Sequence, residues 1–419
     1  MEQDEAEAAA DRPGIAARIG SRGTFASLAV PQFRLVLAGT VLAQVGGWAE
    51  EVSRGVLVFQ LTDSAFQLGL VGFIRGITQL AFSPIAGVMA ERLDRRRLAA
   101  ATQIVPAVVA AATGLLVATD AIQVWHLYIL TCVSGLSQAV NIPTRSVLVY
   151  DVVGTEYLTN AIALNSVVAN IARIAAPAAG GVMIDLAGIA STYYAQAVFM
   201  GLATTATLML RPVAHAAAPR MPVWQGIRDG MSYVRRDPTV RRLVLLNVIP
   251  TLLIYPYVSM MPIFAQDVLH AGPAGLGILF TGVGFGSIPG GLIVAGMTHS
   301  RWKGRTMGFA MLLYMGMVFL FALSTVFVLS FAILVVAGVG WSMMVTLNQT
   351  LLQINVEDAF RGRVLSLYSM AGGFTPFGNL AMGVSADAFG VQAAVAAFAL
   401  TGFAFAAVLG LGSRRVRTL

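Results

Sequence analysis

The sequence is poor in charge: only 11% of its 419 residues are Asp, Glu, Lys or Arg, and 57% are apolar. Soluble domains carry about 25% charged residues, so this composition excludes an ordinary soluble domain. There is one cysteine, Cys132, which excludes a disulfide framework and a metal site built from several thiolates. The four histidines are scattered, and neither a His-Glu-x-x-His motif nor a Gly-Lys-Ser/Thr phosphate loop is present. An enzyme is therefore disfavoured, and no metal or cofactor is expected.

Two further features argue against other classes of protein. Residues 1–20 contain no long apolar run before a cleavage site, so they do not resemble a secretory signal and we expect a retained tail over 1–32. The net charge is +7, but the arginines form short clusters between apolar runs. Such clusters are typical of the cytoplasmic loops of membrane proteins, so nucleic-acid binding is not expected.

Twelve apolar runs are long enough to cross about 30 Å of hydrocarbon as helices, and we number them as segments one to twelve. Because they lack the alternation of barrel strands, an all-α membrane protein is predicted. The predicted segments are 33–59, 66–90, 98–118, 124–147, 160–184 and 191–211 in the first half, and 243–268, 275–297, 306–324, 326–348, 363–388 and 392–411 in the second.

The basic residues orient these segments. The even-numbered connections and the C-terminal tail carry Arg92, Arg95, Arg96, Arg97, Arg211, Arg220, Arg228, Arg235, Arg236, Arg301, Lys303, Arg305, Arg361, Arg363, Arg414, Arg415 and Arg417, and the odd-numbered connections carry no Lys or Arg. Basic loops stay in the cytoplasm, so both termini are predicted to be cytoplasmic. The predicted parts are a tail (1–32), a six-helix bundle (33–211), a linker (212–242), a second six-helix bundle (243–411) and a basic tail (412–419).

Within the linker, Trp224, Ile227, Met231 and Val234 recur at helical spacing, which predicts a short amphipathic helix on the inner leaflet. A flexible linker is the alternative. The two halves also repeat motifs: Asp185-Leu-Ala-Gly188 closes segment five and Asp387-Ala-Phe-Gly390 closes segment eleven. Paired six-helix halves are typical of transporters that rock around one central substrate site.

Several motifs resemble a known family. The loop Gly87-Val-Met-Ala-Glu91-Arg92-Leu-Asp94-Arg95-Arg96-Arg97 resembles the signature cytoplasmic loop of the major facilitator superfamily, and Gly296-Met-Thr-His-Ser300-Arg301-Trp-Lys303-Gly304-Arg305 follows segment eight in the same place. Pro143-Thr-Arg145, Asn160-Ala-Ile-Ala-Leu-Asn165-Ser166 and Ile171-Ala-Arg173 are similar to the enterobactin-exporter and macrolide-efflux branch. The resemblance implies the major facilitator fold and a cytoplasmic gate at Gly87, Glu91, Arg92, Arg95 and Arg96. The positive charge of the same loop is also that of a segment that anchors the membrane topology.

The end of segment five, Pro177-Ala-Ala-Gly180-Gly181, is similar to the antiporter motif of exporters in this superfamily, with Ala176 in place of a glycine. Ordinary close packing of small residues explains the same pattern. The usual Arg-x-x-Gln-Gly of segment four is absent, which leaves one proton-coupling arginine of the family without a counterpart. The resemblance implies export of a siderophore or drug-like molecule by proton antiport. Uptake by the same fold is the alternative.

Ionisable residues inside membrane segments are costly and therefore informative. Glu50, Glu51 and Arg75 are expected at one depth in the outer half of the membrane, close enough to meet. One hypothesis is that Glu50 or Glu51 carries the coupling proton. The alternative is structural: Glu50 pairs with Arg54 along the helix, and Glu51 pairs with Arg75 across to segment two.

Arg173 is expected on a polar cavity face, in contact with substrate or paired with Glu51. The excess of arginine over acid in the first half favours a neutral or anionic substrate such as a siderophore. The candidate cavity residues are Trp48, Asn165, Asn170, Arg173, Asn247, Tyr255, Asn348, Tyr368 and Asn379, although the polar ones in the second half also serve to bridge helices. The protein is expected to act as a monomer in the bacterial inner membrane, with the bilayer, protons and a small organic substrate as its partners.

Small residues and prolines complete the pattern. Gly282, Gly286 and Gly290 share one face of segment eight and predict close packing or sliding against a neighbour. Pro256, Pro262, Pro289 and Pro376 lie at points where a static kink or a hinge is expected, because proline removes an internal hydrogen bond.

Overall fold

The computed structural model describes residue 23 and residues 25–211, 223–297, 300 and 302–411. Most of the predicted N-terminal tail, residues 212–222 of the linker and the tail 412–419 therefore lie outside the described residues. A 3₁₀ turn, Ala26–Ala29, precedes the first helix. The helices of the first half are Pro31–Thr62, Ala65–Arg92, Arg95–Ala118, Val124–Ala187 and Ile189–Leu208.

The linker forms the helix Val223–Arg236, and the second half follows as segments seven to twelve. Its helices are Pro238–Ile249, Tyr257–Ile263, Gly272–Gly296, Lys303–Leu323, Phe327–Asn355, Asp358–Met370, Thr375–Phe389 and Val391–Ala406. Eight helices in the described part of the chain are long and apolar enough to cross a membrane. Many side chains that would face lipid are exposed and apolar, among them Leu186, Val328 and Phe389.

Segments four and five follow one another without a loop over Val124–Ala187, 64 residues in all. The run is not straight, because Gly154 has φ 67° and ψ −175°, outside the helical region. A residue with a Cβ adopts this conformation only with strain, which glycine avoids. The prediction of two segments here is therefore correct, but the connection between them is a single bent residue rather than a loop.

Segments seven and eleven are interrupted helices. In segment seven, π-helical turns at Pro250–Ile254 and Phe264–Val268 flank the short helix Tyr257–Ile263, and Pro256 lies at the break. In segment eleven, a 3₁₀ turn at Ala371–Phe374 precedes Pro376, which stands in the first turn of the next helix. The predicted irregularity at Pro256 and Pro376 is present, whereas Pro262 and Pro289 lie inside continuous helices.

The glycine face of segment eight packs against segment ten. A Cβ added at Gly286 would lie 1.8 Å from the Val335 carbonyl oxygen, and one at Gly290 would lie 2.6 Å from that of Val339. These separations are far shorter than a van der Waals contact, so the two backbones touch directly. The expected close packing of this face is present within the second half.

We call the face of the bundle with the odd-numbered connections the outer face and the opposite one the inner face, after the predicted orientation. The halves meet through segments one, two and five on one side and seven, eight and eleven on the other. Among the described glycines, Gly373 lies against Leu80 and Gly284 against Ile174, so these two positions also bring the halves together. Hydrogen bonds and a ring contact between described residues of the two halves also lie in the outer part of the bundle. The outer face is therefore closed by contacts between the halves.

The linker helix Val223–Arg236 packs on the start of segment eleven. The Tyr233 ring stacks on Phe360 with centroids 4.8 Å apart, and Asp229 pairs with Arg363 at 3.3 Å. Gly230 allows this approach, since a Cβ there would lie 3.1 Å from the Arg363 carbonyl oxygen. The second half of the protein therefore holds part of this helix, in addition to the contact with the inner leaflet that the sequence predicts.

Candidate functional site

Four charged side chains meet at the outer end of segments one and two, and we call them the charge cluster: Glu50, Glu51, Arg54 and Arg75. Both arginines directly precede a glycine that touches the opposite half. A Cβ at Gly55 would lie 2.6 Å from Cγ of Pro262, and one at Gly76 would lie 2.3 Å from Cγ of Pro376. The charge cluster therefore lies just below the contacts that join the two halves at the outer face, which we call the outer closure.

The charge cluster pairs each carboxylate with both arginines. Arg54 contacts Glu50 and Glu51 at 2.5 Å each, along one helix face. Arg75 reaches across from segment two to Glu51 at 2.7 Å and to Glu50 at 3.8 Å. The two pairs expected under the structural hypothesis, Glu50 with Arg54 and Glu51 with Arg75, are both present, and their formal charges cancel.

The cluster is only partly withdrawn from solvent. The Glu51 side chain is 31% exposed and Arg75 is 25% exposed, whereas Arg54 and Glu50 are 11% and 14% exposed. Water can therefore reach Glu51 and Arg75 more easily than the other two members. This gradient makes Glu51 the more accessible of the two carboxylates for proton exchange.

Arg173 has no acidic partner among the described residues, and the alternative pair with Glu51 is not present. Its guanidinium lies instead over the Trp48 ring, 5.4 Å from the centroid, and its Nε is buried without a hydrogen-bond partner. A cation over an indole face is attracted by the ring quadrupole, but the ring does not cancel the charge. Since the cluster is neutral, Arg173 leaves this region with one uncompensated positive charge.

Tyr255 brings the second half to the same place. Its phenol is close enough for the charges of Glu51, Arg173 and Arg75 to act on it. Its ring packs on Trp341 at 5.8 Å, and Tyr255 remains 37% exposed. The sequence offered no reason to single out Trp341, since a tryptophan in an apolar run reads as core.

The remaining candidates divide into bridging and unpaired groups. Asn348 is buried and donates to the Leu243 carbonyl, Asn247 donates to the Tyr368 carbonyl, and Asn165 accepts from Thr40. These amides bridge helices. Asn379 accepts from Ser259 in segment seven and lies against Gly72 of the opposite half. By contrast, the Tyr368 hydroxyl is buried without a partner, and Asn170 is exposed.

The motif at the end of segment five lies between the halves. Gly180 packs on Ala49 of segment one, where a Cβ would be 3.2 Å from the Ala49 Cα. Gly181 faces segment eight, where an added Cβ would lie 2.3 Å from the Pro273 carbonyl oxygen. In return, a Cβ added at Gly277 of segment eight would lie 2.2 Å from the Pro177 carbonyl oxygen. The small residues are thus required for the closed outer face.

The predicted inner-face gate is described only in part, since the side chains of Glu91 and Arg92 lie outside the described residues. Arg95 pairs with Asp151 through contacts of 2.7 and 2.8 Å, which join segments three and four within one half. Arg96 donates to the Leu208 carbonyl, and Gly87 has open space around it. Arg95 and Arg96 therefore hold the first half together in this state.

Apolar helices of membrane-spanning length, arranged in two halves that enclose paired charges, define the class: a membrane transporter. The family model described as transmembrane secretion effector, within the major facilitator superfamily, matches residues 22–417. The chain belongs to this family, and the predicted major facilitator fold is confirmed.

Similar proteins include transporters of two kinds. The staphyloferrin A transporter of Staphylococcus aureus is 26% identical over 372 residues, covering 84% of this chain and 89% of the relative. The multidrug efflux pump Tap of Mycolicibacterium fortuitum is 25% identical over 377 residues, covering 87% and 92%. The enterobactin exporter of Shigella boydii is 23% identical over 349 residues, covering 81% of each chain.

Solved structures agree on the fold. A bacterial homologue of the lysosomal transporter Spinster, in an inward-facing and unoccupied conformation, superposes with a TM-score of 0.75 at 14% identity. The match covers 92% of this chain and 97% of the other. A bacterial homologue of the iron transporter ferroportin gives a TM-score of 0.71 at 14% identity, covering 91% and 98%.

Proposed function

We propose that this transporter exports a small organic molecule from the bacterial cytoplasm across the inner membrane, in exchange for protons, with both termini in the cytoplasm. The relatives named as siderophore and drug transporters support export. The observation that carries proton exchange is the charge cluster, because it places two carboxylates within a membrane segment, paired with arginines, and one of them is partly open to water.

In this proposal the inward-facing state has given up its proton. Both carboxylates are then charged and paired with Arg54 and Arg75, and the short contacts of the cluster support this arrangement. A proton taken up from outside would neutralise one carboxylate and remove its attraction to the arginines. Either Glu50 or Glu51 is suited to this role, and the more exposed Glu51 has the better access.

The charges of this site favour a neutral or anionic substrate. The cluster is neutral, so Arg173 supplies the net charge near Trp48 and Tyr255. An anionic group on the substrate would pair with the partly exposed Arg173, and the aromatic rings would pack on an apolar or aromatic body. A siderophore with acidic iron-binding groups fits this chemistry better than a basic macrolide.

The test uses purified protein in liposomes. First, counterflow with a panel of iron-free siderophores and macrolides identifies a transported compound. Glu50→Gln/Glu51→Gln is then compared with Glu156→Gln, a control at an exposed carboxylate between segments four and five. We expect the double variant to lose accumulation driven by a pH gradient while it retains counterflow, and the control to retain both.

Accumulation by the double variant at the wild-type rate under a pH gradient would contradict proton coupling through these residues. In vesicles of known orientation, movement of substrate in the same direction as the proton would instead identify uptake, the alternative function for this fold.

A further inference from the structure

The outer ends of segments five and eleven share a spacing that the proposed transport chemistry does not use. Segment five ends with Gly181-Val-Met-Ile-Asp185 and segment eleven with Gly383-Val-Ser-Ala-Asp387, each followed three residues later by a glycine at positive φ. Glycine at such a position ends a helix without strain. Each aspartate therefore lies in the last turn of its own helix.

That position is unfavourable within one helix. The last turn carries the negative end of the helix dipole, so a carboxylate there is repelled by its own backbone carbonyls. Nevertheless both halves place an aspartate at this point. Both aspartates are exposed, so water offsets part of the repulsion, and an interaction outside the helix can offset more of it.

The opposite half supplies that interaction in both cases. Asp185 Oδ2 accepts from the backbone N–H of Ala274 at 3.1 Å, in the first turn of segment eight. Asp387 Oδ1 accepts from the Ser64 hydroxyl at 3.1 Å and from the Phe66 backbone N–H at 3.5 Å, at the start of segment two. Segments two and eight occupy equivalent places in the two halves, so the contacts are related by the internal symmetry.

The glycine four residues earlier allows each approach. A Cβ at Gly181 would lie 2.3 Å from the Pro273 carbonyl oxygen, and one at Gly383 would lie 2.8 Å from the Ala65 carbonyl oxygen. In each case the glycine touches the first turn of the helix whose amides the aspartate caps. The glycine sets the separation of the helices, and the aspartate supplies the charge.

We propose that Asp185 and Asp387 are paired conformational locks, each a helix cap that one half supplies to the other only while the outer face is closed. Opening that face pulls segments five and eleven away from eight and two, so both carboxylates lose their amide donors. The locks thereby favour the inward-facing state. This inference does not depend on the substrate, the coupling ion or the direction of transport.

The test measures opening of the outer face directly. Spin labels are placed on Trp125→Cys and Thr325→Cys, exposed sites near the outer ends of the two halves, in a Cys132→Ser background. Double electron–electron resonance on protein in lipid nanodiscs gives the populations of short and long distances. The variants are Asp185→Asn, Asp185→Ala, Asp387→Asn, Asp387→Ala and the two double variants, with Asp120→Asn as an outer-face control.

We expect each alanine variant to raise the ratio of open to closed outer face by roughly two- to fivefold, the range for a charge at a helix terminus. The two effects should multiply in the double variant, since the contacts share no partner. Asparagine keeps an acceptor oxygen without the charge and should give an intermediate effect.

An unchanged distance distribution in the double alanine variant would overturn the proposal. So would an equal shift in Asp120→Asn, because it would trace the effect to negative charge on the outer face in general. The asparagine variants preserve side-chain shape, so they give a reading even if the double alanine variant folds poorly.

Discussion

Gly76→Ala should open the outer face, because the glycine and Pro376 of the opposite half are in direct contact there. The added methyl group would lie 2.3 Å from Cγ of the proline ring, where ordinary contacts exceed 3.4 Å. The ring cannot rotate away as a flexible side chain would, so the two halves must separate to admit the methyl group. The clash exists only while the outer face is closed.

The size of the effect follows from the cost of overpacking. Inserting a methyl group into a packed contact costs about 1–3 kcal/mol, and about 1.4 kcal/mol is a tenfold change in an equilibrium. The closed population should therefore fall about 5- to 150-fold relative to the open one. Alanine also favours helix over glycine by up to about 1 kcal/mol, but that gain applies in both states and cancels from the ratio.

The measurement uses the same pair of spin labels on the outer face, with Gly47→Ala as the matched control. Gly47 lies in segment one with open space around it, so its variant should leave the distance distribution unchanged. If Gly76→Ala has the same distance distribution as the parent while remaining folded, contact with Pro376 does not limit opening. The steric reasoning would then be wrong.

Two further predictions separate the fold from the substrate site. Gly286→Ala should lower the free energy of unfolding by about 1–3 kcal/mol, measured by thermal denaturation. It should leave the spin-label distances unchanged, because its clash with the Val335 carbonyl lies within one half. A shift in the distances would contradict this. Arg173→Gln should weaken binding of an anionic substrate, measured by calorimetry, by roughly tenfold or more, with Arg173→Lys between it and the wild type. Equal loss of binding for a neutral substrate would show that Arg173 supports the site without binding an anion.

The sequence allowed the bundle and part of the charge cluster to be predicted for local reasons. Segment number follows from the length of apolar runs, which the bilayer thickness dictates. The pair of Glu50 with Arg54 follows from their spacing on one helix face, since residues four apart are neighbours. The pair of Glu51 with Arg75 is the next easiest to predict, because adjacent antiparallel helices place residues of similar depth together.

Other features depend on how distant segments pack. Arg173 lies over Trp48 rather than beside Glu51, and this choice depends on the rotation of segment five about its axis, which hydrophobicity alone does not define. The repeated Asp-x-x-Gly endings at Asp185 and Asp387 were visible, but their partners belong to the opposite half. Only the tertiary arrangement shows that the repeat is a contact between halves.

Two residues of the charge cluster are followed directly in the chain by residues of the outer closure. Proton exchange at the cluster can therefore act on the conformation through a single peptide bond. Arg54 and Arg75 hold the carboxylates, and the next residue after each arginine, Gly55 or Gly76, touches a proline of the opposite half. Under the proposed function, neutralising a carboxylate releases an arginine whose backbone is one peptide bond from that contact. A shift of segment one or two large enough to relax the arginine must therefore also move a glycine that closes the outer face. No longer pathway through the protein is required to link the proton to opening.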